Sequence, residues 1–364
     1  MKGVIAGMAA ALLAAILFTP CTASAVSAKS AIVVDGQTGR VLYEKDADQR
    51  SLIASTTKIM TALIVCEQCN VLDRMTIPKE AVGIEGSSIY LKEGEILTIQ
   101  ELLYGMMLHS GNDAAVALAI YCGGTVEGFA ELMNDKAHRL GMKDSHFVNP
   151  NGLDAPDHYS TARDLALLAS YAMENPIFAR TVSAKNVSIT GRTLRNHNKL
   201  LWQVEGADGV KTGFTKAAGR ILVSSAVRQG RRIIAVTINA PDDWNDHKNL
   251  IDQGFSEFTP QTLVQAGECL GEFAIAGGTA GTVRILAAED FCFAMRKNES
   301  WSVKLPEPGF IYAPVAQGQS AGYAHIWIDG VPVGKVALVY ADTVEQQEST
   351  KVPWYQRLFC GGKE

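Results

Sequence analysis

A chain of 364 residues with 47% hydrophobic and 20% charged residues can bury a full core and is long enough for two domains, which excludes a disordered chain. Its formal net charge is -5 and it carries no Lys/Arg-rich run, so the electrostatic footprint of a nucleic-acid binder is missing.

Residues 1–25 have the layout of a secretory signal: Lys2, an apolar run over 4–18, then small residues at Ala23-Ser24-Ala25. Cleavage after Ala25 is expected, with the mature protein exported and extracytoplasmic. Residues 31–45 read as a β-hairpin, with A-I-V-V-D and V-L-Y-E-K flanking the turn residues Gly36-Gln37-Thr38-Gly39. The run over 56–65 is apolar on nearly all sides and predicts a helix in the domain centre, with Ser55 as its N-cap. Thr98 and Glu101 form a T-x-x-E capping box for a second helix, which breaks at Ser110-Gly111-Asn112. Helical patterns return over 113–121, 126–140 and 161–173. Strand signals then resume over 209–215, in R-I-L-V-S-S-A-V and in R-I-I-A-V-T-I-N, and a helix is expected over 246–255.

These elements describe an α+β domain over 29–258, with an antiparallel sheet drawn from both ends of the segment and a helical insertion between them. Short β-type runs separated by glycine and proline predict a small all-β domain over 259–345. The tail, 346–364, combines Trp354, Tyr355, Arg357 and Phe359, which suits a peripheral membrane contact. Six cysteines follow residue 25, too scattered to be the staples of a small fold. Cys66 and Cys69 have C-x-x-C spacing without a second pair or matching histidines, and read as helix thiols. There is no H-E-x-x-H, and neither a metal nor an organic cofactor is implied.

Three short motifs carry chemistry. Ser55 and Lys58 form S-T-T-K, the one S-x-x-K of the sequence, and residues i and i+3 of a helix share a face. A serine hydroxyl is a weak nucleophile without a base, and a lysine serves as that base only when neutral. Burial and a second cation both lower its pKa from about 10.4. Ser110 and Asn112 give S-x-N at the helix break, where both can face a cleft. Lys211-Thr212-Gly213 lies on an expected strand, where a cation and a hydroxyl can meet a carboxylate while glycine admits a close backbone. Each motif alone is weak. Together, in this order, they are the set shared by penicillin-binding proteins and class A β-lactamases.

From A-I-V-V-D-G-Q-T-G-R-V-L-Y at 31–43 through K-T-G-F-T at 211–215, the chain resembles the D-alanyl-D-alanine carboxypeptidases, the low-molecular-mass penicillin-binding proteins of serine peptidase family S11. Residues 85–91, 147–154, 158–164 and 196–201 extend the likeness. The resemblance implies a penicillin-binding/β-lactamase-like transpeptidase fold with a small C-terminal all-β domain. It makes the substrate a peptidoglycan stem peptide ending in D-Ala-D-Ala, with β-lactams as covalent inhibitors. It also assigns roles: Ser55 as acylated nucleophile, Lys58 as general base, Ser110 as proton relay, and Asn112 as holder of the substrate amide. Lys211 would tune the site, Thr212 would bind the terminal carboxylate beside Gly213, and the N–H groups of Ser55 and Phe214 would form the oxyanion hole. His197 stands where some relatives carry an arginine near that carboxylate. Three other readings compete. A β-lactamase would need a water-activating group, and no E-x-x-x-N segment supplies it. A serine-type glutaminase shares the S-x-x-K chemistry, and a sensor or scaffold would bind penicillin without turnover.

Overall fold

The computed structural model describes residues 26–348 apart from 308 and 310. The expected signal segment and all but the first three residues of the tail lie outside the described residues. The opening hairpin is β1 Ser30–Asp35 with β2 Val41–Lys45. Its turn is pinned by Asp35, whose Oδ1 accepts from Gln37 N, Thr38 N and Thr38 Oγ1 at 3.2, 3.0 and 2.9 Å. The chain then enters the helical insertion through α1 Lys58–Gln68, a ribbon of β3 Arg74–Thr76 and β4 Ile96–Thr98, α2 Ile99–Leu108, α3 Asn112–Gly123, α4 Val126–Leu140, α5 Ala162–Ala172 and α6 Pro176–Ser183. A second ribbon, β5 Asn186–Ile189 with β6 Arg192–Arg195, and the short α7 Leu200–Gln203 return it to β7 Ala207–Thr215, β8 Gly219–Arg228, β9 Arg231–Ile238 and α8 Asp243–Glu257.

Local chemistry explains the boundaries. Both bonds of the capping box form at α2: Glu101 N donates to Thr98 Oγ1 at 3.1 Å and Thr98 N to Glu101 Oε2 at 2.9 Å. Thr161 caps α5 by accepting from Asp164 N at 3.0 Å. Helix α6 is not among the helices expected from the sequence. Pro176 is its first residue, where no N–H is needed, and Asn175 caps the N–H groups of Ile177 and Phe178.

The central sheet is antiparallel, in the order β2-β1-β9-β8-β7. Its inner strands alternate between two apolar layers. Ile32, Val34, Ile221, Val223, Ile234 and Val236 join the core of the helical insertion, whereas Val33, Leu222, Ile233 and Ala235 meet Leu250 and Ile251 of α8. Both faces are therefore dry, which is why these strands read as near-continuous apolar runs. β7 is an edge of this sheet, so one row of its backbone groups is left to whatever occupies the space beside it.

Eight further strands follow among the described residues: β10 Phe258–Val264, β11 Cys269–Ala276, β12 Thr282–Ala287, β13 Phe291–Arg296, β14 Trp301–Lys304, β15 Ile311–Tyr312, β16 Ser320–Ile328 and β17 Val331–Tyr340. They form the ribbon β10-β13 and a six-stranded sheet, β14-β16-β17-β12-β11-β15, around a separate apolar core. Arg40, in the β1–β2 turn, crosses to this all-β unit. Its guanidinium bonds Ala294 O and Glu299, and lies over the Phe258 and Phe293 rings.

Where the two units join, a buried ion pair links β1, β9 and β10. Arg231 Nε donates to Asp35 Oδ2 at 2.7 Å and Nη1 to Phe258 O at 2.5 Å, and both side chains are almost wholly buried. Removing one partner leaves a buried charge uncompensated. Asp35→Ala is expected to lower the unfolding free energy by about 3–5 kcal/mol, measured as a lower urea midpoint at unchanged slope.

Candidate active site

Ser55 does not cap a helix. It lies inside a 3-10 turn, Ala54–Thr57, that runs directly into α1, whose own N-cap Thr57 makes no side-chain cap bond. Three residues make one turn of such a helix, so i and i+3 eclipse and Ser55 stands in line with Lys58. Ala54 adopts a left-handed φ of 44° just before Ser55. Gly152 braces this turn from behind: its φ is +83°, and a Cβ there would fall 1.9 Å from Ala54 O. His158 holds the other side. Its Nδ1 accepts from Val148 N at 3.1 Å, so the network assigns the proton to Nε2, which donates to Thr57 Oγ1 at 2.8 Å. Burial lowers the imidazole to about 4 and keeps it neutral.

Lys58 is fully buried. Its Nζ lies 2.9 Å from Ser55 Oγ, 2.7 Å from Asn112 Oδ1 and 2.5 Å from Asn151 O. Burial pushes its pKa well below the ordinary lysine value; nearby Lys211 adds to this and Asp113 opposes it. A neutral amine has two N–H donors and one lone pair. Asn112 Oδ1 and Asn151 O can only accept, so they take both donors and the lone pair is left for the Ser55 hydroxyl. That is the arrangement a general base requires.

The S-x-N corner is equally constrained. Ser110 carries a left-handed φ of 63° between α2 and α3, which turns it into the cleft. Asn112 Nδ2 donates to Glu85 O at 2.6 Å and its backbone N–H to Ser87 O at 2.7 Å. Asp113 accepts from Ser88 Oγ at 2.6 Å, Ile89 N at 3.1 Å and Leu91 N at 3.0 Å. Residues 85–91 are thereby fastened to the start of α3. One Asn112 N–H remains beyond its bond to Glu85.

Lys211 points inward from β7, almost wholly buried, with Nζ donating to Thr212 O at 2.9 Å; burial lowers it to about 7. Thr212, Gly213 and Phe214 line a cleft of about 290 Å³ together with Ser55, Ser110 and His197. The backbone that Gly213 admits belongs to the chain itself: a Cβ there would meet Ile53 O and Ser55 N at 3.3 Å. The motif glycine thus lets the edge strand lie against the turn that carries Ser55. His197 N donates to Leu108 O at 3.1 Å, and its ring lies 4.9 Å from that of His109. Burial first, then Lys211 and His109, lower His197 to about 4. It is neutral at pH 7 and brings no charge to the cleft.

The structure therefore brings all nine expected residues to one place, with Lys58, Asn112 and Lys211 behind the wall. It also adds three that the sequence reading did not single out. Arg220, on β8 opposite Phe214, reaches the same cleft and pairs with Asp243 at 2.7 Å, while its guanidinium lies over the Trp244 ring. The register of the β7–β8 hairpin was the available signal for Arg220. Asp243 and Trp244 precede the expected start of the last helix, which begins three residues earlier than its apolar pattern.

Residues 18–242 match the model of the D-alanyl-D-alanine carboxypeptidase family, S11. The chain belongs to this family. Residues 258–346 match the C-terminal domain of penicillin-binding protein 5. The chain is 33% identical to the D-alanyl-D-alanine carboxypeptidase DacC of Escherichia coli over 89% of its length and 86% of that protein's. It is 32% identical to the carboxypeptidase DacF of Bacillus subtilis over 83% and 82%. Among solved structures, penicillin binding protein 5 from Haemophilus influenzae superposes with a TM-score of 0.77 at 29% identity, covering 88% of this chain and 98% of that one. The fold is that of the penicillin-binding DD-carboxypeptidases, and the protein is a serine D-Ala-D-Ala carboxypeptidase acting on peptidoglycan.

Because Gly152 supports the turn that carries Ser55, Gly152→Ala is expected to displace Ser55 without unfolding the chain. A misplacement of about 1 Å costs roughly 100-fold in rate. The check is kcat/KM for D-alanine release beside a circular-dichroism melt.

Proposed function

We propose that Ser55 Oγ attacks the carbonyl between the last two D-alanines of a stem pentapeptide, with neutral Lys58 taking its proton. The observation that carries this reading is the partner set of Lys58, two acceptors and one hydroxyl within 2.9 Å. The oxyanion is held by the N–H groups of Ser55 and Phe214, the latter on the edge strand. Ser110 passes the proton to the leaving amine, and the terminal D-alanine departs. Water, activated by Lys58, then hydrolyses the ester and returns Ser55 to its starting state.

Recognition of the terminal carboxylate rests on Thr212 and on the positive field of Lys211, close to half protonated at pH 7. Neutral His197 contributes a hydrogen bond rather than a charge. Arg220 is a further cation at the rim, partly offset by Asp243. Asn112 uses its remaining N–H for the substrate amide. β-Lactams resemble the D-Ala-D-Ala end and acylate the same serine. Peptidoglycan lies outside the cytoplasmic membrane, so this reading puts the enzyme in an extracytoplasmic compartment, in keeping with the signal layout of residues 1–25.

The test is D-alanine release from a diacetyl-L-Lys-D-Ala-D-Ala tripeptide. Ser55→Ala is expected to abolish both release and covalent penicillin labelling, and Lys58→Ala to slow acylation by roughly 10³-fold or more. Labelling that survives Ser55→Ala contradicts the assignment. Labelling without any release in the parent protein favours a sensor.

A further inference from the structure

The helices that carry the catalytic groups both begin at the active site. Lys58 is the first residue of α1 and Asn112 the first of α3, and their side chains meet at 2.7 Å. Eleven residues on (69 − 58) α1 is capped by Cys69, and ten residues on (122 − 112) the last turn of α3 carries Cys122. At a rise of about 1.5 Å per residue these are nearly equal lengths of helix.

The far ends also touch. Cys122 Sγ donates to Gln68 Oε1 at 3.6 Å, on the residue just before Cys69, and Tyr121 OH donates to Asp73 Oδ2 at 3.0 Å. Proximity to Cys122 raises the Cys69 thiol above its ordinary value. Both cysteines are half-buried, within reach of a reagent. Cys66, one turn back on α1, is buried in the core, and that burial pushes its thiol up to about 12. The spacing that draws the eye in the sequence, Cys66 with Cys69, is therefore not the pair that the fold presents.

We propose that Cys69 and Cys122 form a disulfide that ties the far ends of the two catalytic helices together once the chain meets a disulfide donor outside the cytoplasm. The site itself stands on the geometry; its oxidation in the cell rests on the extracytoplasmic location proposed above. Proximity to Cys69 holds the Cys122 thiol below its ordinary value, so Cys122 is the attacking sulfur. It displaces one thiolate from the donor disulfide and forms a mixed disulfide. Cys69 then loses its proton and attacks Cys122 Sγ, releasing the second donor thiolate. Two protein thiols are oxidised to one disulfide, the donor disulfide is reduced to two thiols, and the two protons end on them. The closed loop spans 53 residues (122 − 69) and includes Ser110 and Asn112. With Lys58 and Asn112 joined at one end and the sulfurs at the other, the helices cannot slide past each other.

The experiment starts from the purified, fully reduced protein, equilibrated with oxidised glutathione, alkylated and digested with trypsin without reduction. The expected result is a cross-link between the peptide carrying Cys122 and the one carrying Cys69. That peptide also carries Cys66, so variants make the assignment: the link survives Cys66→Ala and is lost in Cys69→Ser and Cys122→Ser. Oxidation is expected to raise Tm by roughly 5–10 °C, with no rise in Cys122→Ser, and kcat in that variant stays within about twofold because the cleft is untouched. Alkylation of both Cys69 and Cys122 after equilibration, or a link that needs Cys66, overturns the proposal. A link formed in glutathione but absent from protein isolated from whole cells with thiols blocked at lysis upholds the site and counts against the extracytoplasmic location.

Discussion

A lysine amine shut away from water among three oxygens is the interaction on which the rest of this site depends. An ammonium in that position has lost its hydration, at a cost of several kcal/mol, and faces a second buried lysine. Losing the proton removes both penalties. The neutral amine is then held in one orientation by Asn112 Oδ1 and Asn151 O, with its lone pair toward Ser55. Burial thus favours the uncharged form, and two acceptor-only partners fix where the lone pair of that form points.

Much of the surrounding architecture serves to keep those partners still. Asn112 is fixed by Glu85 O and by the fastening of residues 85–91 to Asp113. Asn151 O belongs to a loop locked by Pro150 O, which accepts from Thr61 Oγ1 at 2.7 Å, and by Gly152 against Ala54. The two non-glycine residues with left-handed backbone beside the cleft, Ala54 and Ser110, precede or carry a serine hydroxyl that lines it. Such conformations cost of order 1–3 kcal/mol each and persist where the surroundings over-determine them. Here the surroundings are the dry core behind α1 and the edge strand β7, which Gly213 allows to lie against the turn that carries Ser55.

Much of this was legible in the sequence because its signals are local. The capping box at Thr98, the turn at 36–39 and the apolar strands 221–227 and 232–238 each carry their cause within a few residues. The S-x-x-K pair was legible for a slightly different reason than supposed, since a 3-10 turn aligns i and i+3 more directly than an α-helix does. What could not be read was mostly backbone. The carbonyl of Asn151 has no residue-type signature, and the segments 85–91 and 147–154 stood out only by family likeness until their bonds to Asn112 and Lys58 gave the likeness a physical cause. Arg220 became a cleft residue only through strand register, and Cys122 found its neighbour only through the parallel course of two helices.

The claim that Lys58 is a neutral base is tested most directly by following its own charge. In protein carrying 13C at the lysine ε-carbons, with the Lys58 resonance assigned from the spectrum of Lys58→Arg, the ε-carbon shift reports the amine's protonation as pH is raised. The lowered pKa predicts that Lys58 loses its proton at a pH well below that of an ordinary lysine and that the rate of acylation by a β-lactam climbs along the same curve. A Lys58 resonance that stays in its charged position up to about pH 9, close to an ordinary lysine, with acylation still proceeding at pH 7, would contradict the account.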